Sequence, residues 1–150
     1  MAILPSEDQF SELAAIAGSD ADGPKVMLNL NRYRDRARYE DAVPDGLDPD
    51  VSGRDAYLRY GVVATRVLSR LGGRVLWEAE SKRTVVGEDG DRYDEVLAVW
   101  YPSLAAFIQL ATDPELLAAH PHRAAGLERA VLLCCESGPE PVLEANLPAV

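Results

Sequence analysis

Apolar residues along this chain recur with two periods, and the switches between them lay out its elements. From Ser52 to Leu71, Ala56, Tyr57, Tyr60, Val63, Ala64, Val67, Leu68 and Leu71 fall at helical spacing, while Arg54, Arg59, Arg66 and Arg70 lie mostly off that stripe. Ser52 with Asp55 three residues on resembles a capping box that starts the helix. Gly72-Gly73 stops it, since glycine adopts the left-handed conformation of a C-cap without steric cost. Val75, Trp77 and Ala79 then alternate with Leu76, Glu78 and Glu80, a period of two that predicts a strand folded back under its own helix.

The flanking segments read in the same way. Ser6 to Gln9 is a second capping box, followed by a face of Phe10, Leu13, Ala14 and Ala17 before Gly18. Lys25–Arg32 predicts a strand with Val26, Leu28 and Leu30 on one face and Met27, Asn29 and Asn31 on the other. Residues 33–51 are rich in charge and hold Pro44, Gly46 and Pro49, which predicts a long surface loop with a short helical turn at its start; loops of that length often bind ligands or act as lids. Thr84-Val85-Val86 reads as a strand continuation or short extra strand, and Asp89-Gly90 as a hairpin turn. Asp94–Tyr101 is the most apolar strand. A helix with Leu104, Phe107, Ile108 and Ala111 follows; Asp113-Pro114 restarts it as N-cap and first helical residue, and Gly126 ends it. Leu127–Glu136 is the last strand, and the proline-rich tail 137–150 is expected to be extended.

Without the leading helix the order is β-α-β-β-α-β, so the fold class is α+β: a ferredoxin-like protomer with an extra N-terminal helix, a single domain over 1–150 with its core about 23–136. Helices cover one face of such a sheet. The other face, partly apolar, calls for a partner, and two-fold pairing is the commonest solution. The expected assembly is a homodimer, with two sheets facing each other around a cavity.

Composition narrows the function. The 150 residues suit one domain, and the 47% hydrophobic and 27% charged content is that of a globular chain. A net charge of −10 argues against a nucleic-acid partner. No apolar run approaches a membrane span and MAILPSEDQF lacks the pattern of a signal peptide, so no membrane partner and a cytoplasmic location are expected. Cys134 and Cys135 are adjacent; as strand neighbours they point to opposite faces, and they read as small reduced core residues.

Candidate chemistry is sparse. Asn29 and Asn31 project to one face of an apolar strand and could hydrogen-bond a ligand carbonyl or enolate oxygen; the plainer reading is that they satisfy buried backbone. Glu78 on an apolar cavity would serve as a general acid or base, unless it is solvated near the strand end. In His120-Pro121-His122-Arg123, His122 is the candidate proton shuttle and Arg123 the anion anchor. Arg32 belongs to a basic cluster with Arg34, Arg36 and Arg38, a second possible anion site, although Asp35, Glu40 and Asp41 can neutralise it. Tyr60, Trp77 and Trp100, with Tyr57, are either ligand platforms or core. The chain has no phosphate loop, nucleophile elbow or metal-spaced cluster, and no metal or cofactor is expected.

The segments MLNLNRYR, SGRDAYLRYG, LGGRVLWEAE, VWYPSLAAF and TDPELLAAHPHRAA together resemble the family known as domain of unknown function 1330, of the dimeric α/β-barrel superfamily. The resemblance covers about Gly23 to Glu136 and implies the ferredoxin-like protomer and facing-sheet dimer. It also implies kinship with cofactor-independent monooxygenases, muconolactone isomerases and polyketide cyclases, and with haem-binding branches. One departure stands out: Arg123 matches the family's helix arginine, but Leu116 stands where much of the family has Tyr. The expected function is a small-molecule protein. If catalytic, it carries out proton transfer, cyclisation or oxygenation of an apolar or aromatic carbonyl compound without a cofactor. The alternatives are a non-catalytic ligand-binding or interaction module and, third, a haem-dependent enzyme.

Overall fold

The computed structural model describes residues 3–140. Its elements are α1 (Glu7–Ile16), β1 (Lys25–Tyr33), α2 (Gly53–Arg70), β2 (Arg74–Glu80), β3 (Glu95–Tyr101), α3 (Leu104–Ala111), α4 (Pro114–Gly126) and β4 (Leu127–Glu136). The four strands form one antiparallel sheet in the order β2-β3-β1-β4. With α1 set aside this is the ferredoxin-like split βαβ arrangement that the order of elements predicts.

Side chains punctuate the helices where the sequence places them. Ser6 and Gln9 form a reciprocal capping box at α1, with bonds of 3.2 and 2.9 Å. Ser52 Oγ accepts from the Asp55 amide at 3.0 Å and donates to its carboxylate at 2.7 Å. Asp113 accepts from the Glu115 amide at 2.9 Å to open α4. Asp22 reaches across from the α1–β1 turn to accept from the Leu104 and Ala105 amides at 2.7 and 3.1 Å, tying that turn to the start of α3. Past α2 the chain turns through Gly72, whose φ of +79° suits glycine.

The helices cover one face of the sheet. Met27 and Val99 from the strands pack there against Val67, Leu68, Leu104, Phe107, Leu110 and Leu116. Near one end α2 and α4 meet backbone to backbone: a Cβ on Gly126 would lie 2.3 Å from the Gly53 carbonyl, and one on Gly53 would lie 2.7 Å from the Gly126 carbonyl. At the other end they are joined by ion pairs, Arg66 to Glu115, and Arg70 to Glu115 (3.1 Å) and Asp113 (3.5 Å). The opposite face carries a smaller cluster of Val26, Ala98 and Trp100 flanked by Leu28 and Leu76. One corner of that face is met by Gly138, whose carbonyl accepts from Trp100 Nε1 at 3.4 Å.

The structure departs from the local sequence pattern at five places. A β-bulge between Val75 and Trp77 breaks the alternation of β2, so Val75 pairs with Val99 on the helix side while Trp77 pairs with Ala98 on the open side. Thr84–Val86 is not a strand: Val85 and Val86 are 93% exposed, in a loop with no neighbouring ladder to join. Asp89–Asp91 is a 3₁₀ turn inside that long connection rather than a tight hairpin turn. The helical turn of the β1–α2 loop falls at Pro44–Gly46, not at its start, because proline favours the first position of such a turn. Cys134 and Cys135 are free as expected but exposed rather than core, since β4 is an edge strand. Of the tail expected to be extended, residues 137–140 lack helix and strand, and 141–150 lie outside the described residues.

Candidate ligand cleft

A cleft of about 1210 Å³ lies between α2 and the helix-facing side of the sheet. It lies within the single chain, not on the open face where facing sheets were expected to enclose it. Its position follows from strand parity. Met27 and Asn29 of β1, Val99, Leu97 and Glu95 of β3, and Glu78 of β2 occupy alternate positions that all turn toward the helices. Apolar walls come from Met27, Val99, Leu68, Phe107 and Leu110. The polar lining includes Asn29, Tyr57, Tyr60, Glu78, Glu95, His120 and Arg123, with Thr65, Arg66, Ser69 and Arg70 along α2 and Tyr101 on β3.

Asn29 turns its amide nitrogen to the Met27 and Leu97 carbonyls, both at 3.3 Å. Both of its N–H groups are therefore committed to backbone, and only its oxygen remains for a ligand. Asn31 is buried beyond the cleft wall, its amide nitrogen 3.5 Å from the Tyr33 hydroxyl. Tyr33 donates to Glu95 at 2.7 Å, and Glu95 also pairs with Arg54 at 3.2 Å. The oxyanion-type role expected of the two amides thus gives way to a role in holding neighbouring groups.

Arg123 donates to the Ile3 carbonyl, and its guanidinium lies 6.0 Å from the centre of the Tyr60 ring. His120 stands edge-on to the same ring at 5.8 Å. Burial, aided by the Arg123 charge, holds His120 below the ordinary imidazole range, so it is neutral and able to accept a proton at neutral pH. Burial also pushes the Tyr60 phenol up to about 12, although Arg123 acts the other way.

The structure therefore brings Asn29, Glu78, Tyr57, Tyr60 and Arg123 to one cleft and leaves the other candidates outside. His122 faces away from the cleft, buried against the β1–α2 loop with Nδ1 2.7 Å from the Tyr39 hydroxyl. Arg32 is on the open side, paired with Glu128 at 2.9 Å. Trp77 and Trp100 are on that side too, the first 41% exposed and the second buried. The groups missed were His120, Glu95 and Tyr33. Helical spacing could have found His120, because residues three apart share a helix face and neighbours do not, so His120 rather than His122 accompanies Arg123.

A second hollow of about 340 Å³ lies at the strand ends, between Arg54, Glu80, Lys82, Arg92 and Asp94. Each of its cations already faces a carboxylate: Arg54 faces Glu95, Lys82 faces Glu80 at 3.6 Å and Arg92 faces Asp94 at 3.2 Å. Among the described residues no group of three or more His, Cys, Asp or Glu side chains stands close enough to hold a metal ion, and no helix is long and apolar enough to cross a membrane.

Residues 47–136 match the family described as Domain of unknown function (DUF1330). The chain belongs to this family. Among solved structures, two crystal structures of RPA0582, a protein of unknown function from Rhodopseudomonas palustris, resemble this DUF1330 chain over nearly its full length. The methylated form is 34% identical, with a TM-score of 0.77 over 93% of this chain and 96% of that one. The other is 33% identical, with a TM-score of 0.77 over 90% and 95%. A dabb family protein with a ferredoxin-like fold from Mesorhizobium loti is 12% identical, with a TM-score of 0.49 over 77% of this chain and 97% of that one. No curated protein matches the chain.

Proposed function

We propose that this DUF1330 protein binds an apolar or aromatic small molecule carrying a carbonyl group, in the cleft between its sheet and its helices. One observation carries the reading: a cleft of ligand size has apolar walls and a limited set of polar groups from α2, α4 and the sheet. The chemistry such a lining supports is cofactor-independent proton transfer on the bound carbonyl compound. His120, neutral and edge-on to Tyr60, is the proton acceptor, with Glu78 at the β2 edge as a second acid–base group. Residue roles assigned from the sequence pattern shift accordingly, from His122 to His120 and from the Asn29 amide nitrogen to its oxygen.

The test is direct binding of 2-acetylnaphthalene and of its hydrocarbon shape-mimic 2-isopropylnaphthalene, followed by calorimetry and thermal stability. Both should raise the melting temperature, and Leu68→Trp, which fills the cleft, should abolish both effects. If neither compound binds, the small-molecule reading fails.

The same proposal includes a homodimer formed through the open face of the sheet. Leu28, Leu30, Leu76, Trp77, Val131 and Leu133 leave apolar surface there that no helix among the described residues covers. Pairing through that face leaves each cleft inside its own protomer.

A further inference from the structure

We propose that the molecule bound in the cleft is an acid, an apolar or aromatic carbonyl compound whose carboxylate pairs with Arg123. This rests on the small-molecule reading above and names the charge of the ligand. The distribution of charge in the cleft carries it. Arg66, Arg70 and Arg123 line the cleft. Arg66 and Arg70 are engaged with α4 and its cap: both pair with Glu115, and Arg70 also with Asp113 at 3.5 Å. Arg123 has no carboxylate partner among the described residues; its hydrogen bond goes to the Ile3 carbonyl, a neutral acceptor. A guanidinium carries a planar fork of N–H donors, and one bond leaves most of them open. The carboxylates of the cleft do not serve it. Glu95 pairs with Arg54 at 3.2 Å, and Glu78 stands exposed on the edge strand β2.

Arg123 is half-buried, with its guanidinium 6.0 Å from the centre of the Tyr60 ring. A cation held partly out of water gains most from an anion brought to it. The α4 dipole also favours a cation in its last turn, where Arg123 lies, but it fills none of the open N–H groups. One guanidinium matches one carboxylate, since both are planar and they pair through two parallel hydrogen bonds. A phosphate would bring a second negative charge into a cleft that already holds Glu78 and Glu95. The walls of Met27, Val99, Leu68, Phe107 and Leu110 are left for the apolar body of the acid.

The experiment sets 2-naphthoate against 2-acetylnaphthalene and 2-isopropylnaphthalene, which share its shape but carry no charge. Affinities come from calorimetry at neutral pH. The wild-type protein should bind the acid about tenfold more tightly than the ketone, the margin of a charged over a neutral hydrogen bond. Arg123→Gln should weaken binding of the acid by about the same factor and leave the hydrocarbon unchanged. Arg123→Lys keeps the charge without the fork, so its affinity for the acid should fall between the two. Arg74→Gln removes an exposed positive charge outside the cleft and should keep the full preference. A wild-type protein with no preference for the acid overturns the assignment. So does an Arg123→Gln variant that loses acid and hydrocarbon alike, which would make Arg123 only a brace for the N-terminal segment. Failure of all three compounds to bind the wild type instead defeats the small-molecule reading, and this assignment with it.

Discussion

Leu116 has no exposed surface, and it sits in the core cluster beside Val67, Leu104 and Phe107. Truncating it should leave a cavity: Leu116→Ala should lower unfolding stability by about 2–5 kcal/mol, read from urea denaturation. The two histidines make a separate prediction. Burial holds both below the ordinary value of 6.5, seconded by Arg123 at His120 and by Arg59 at His122, against which Asp45 acts weakly. The unfolded chain therefore takes up protons first as pH falls. Stability should be full above about pH 6.5 and should decline below it toward the lower folded values. Denaturation midpoints taken between about pH 7.5 and about pH 5 should show this slope, and His122→Gln should flatten it in part, leaving the share due to His120.

Caps and close contacts decide how the elements are placed. Burial pushes the Asp22 carboxyl up, but four backbone N–H groups, from Gly18, Gly23, Leu104 and Ala105, outweigh it and hold the group below its usual range. Its contribution should persist above the ordinary carboxylate value and be lost as pH falls through the lower folded one. Asp22→Ala should cost about 0.5–2 kcal/mol, the range for losing a helix N-cap. Gly126 leaves no room for a side chain against the Gly53 carbonyl and the Tyr57 amide, both of them backbone. Gly126→Ala should therefore destabilise by about 1–3 kcal/mol, whereas the same change at Gly61, with nothing within 4 Å, should not. A Gly61→Ala variant that loses as much stability as Gly126→Ala would contradict this account.

At the scale of the whole molecule, the order of elements and their starting caps were legible in the sequence because hydrophobic period and capping are local signals. The facing of side chains was legible only where alternation ran unbroken. In β1 it did, and Asn29 and Asn31 fall on one side as expected. In β2 one extra residue moved Val75 to the other face from Trp77, and no local pattern marks such a bulge. The exposure of Cys134 and Cys135, and the isolation of Val85-Val86, depend on which strands have neighbours, which only the sheet order decides. The candidate residues could be named by type, but their positions could not be read: Tyr60, Arg123, Asn29 and Glu78 line one cleft, whereas Arg32, Trp77 and Trp100 belong to the open face. That face gives the last prediction. Trp77→Glu should turn the proposed homodimer into a monomer in sedimentation equilibrium without altering the far-UV spectrum, while a protein already monomeric at micromolar concentration would count against pairing there. The unequal ends of the α2–α4 contact carry one more consequence. Touching backbones at Gly53 and Gly126 act as a fixed pivot, whereas the exposed arginine–carboxylate links at the far end weaken as ionic strength rises. The two rods can thus splay only like scissors, and added salt loosens the handles while leaving the rivet tight.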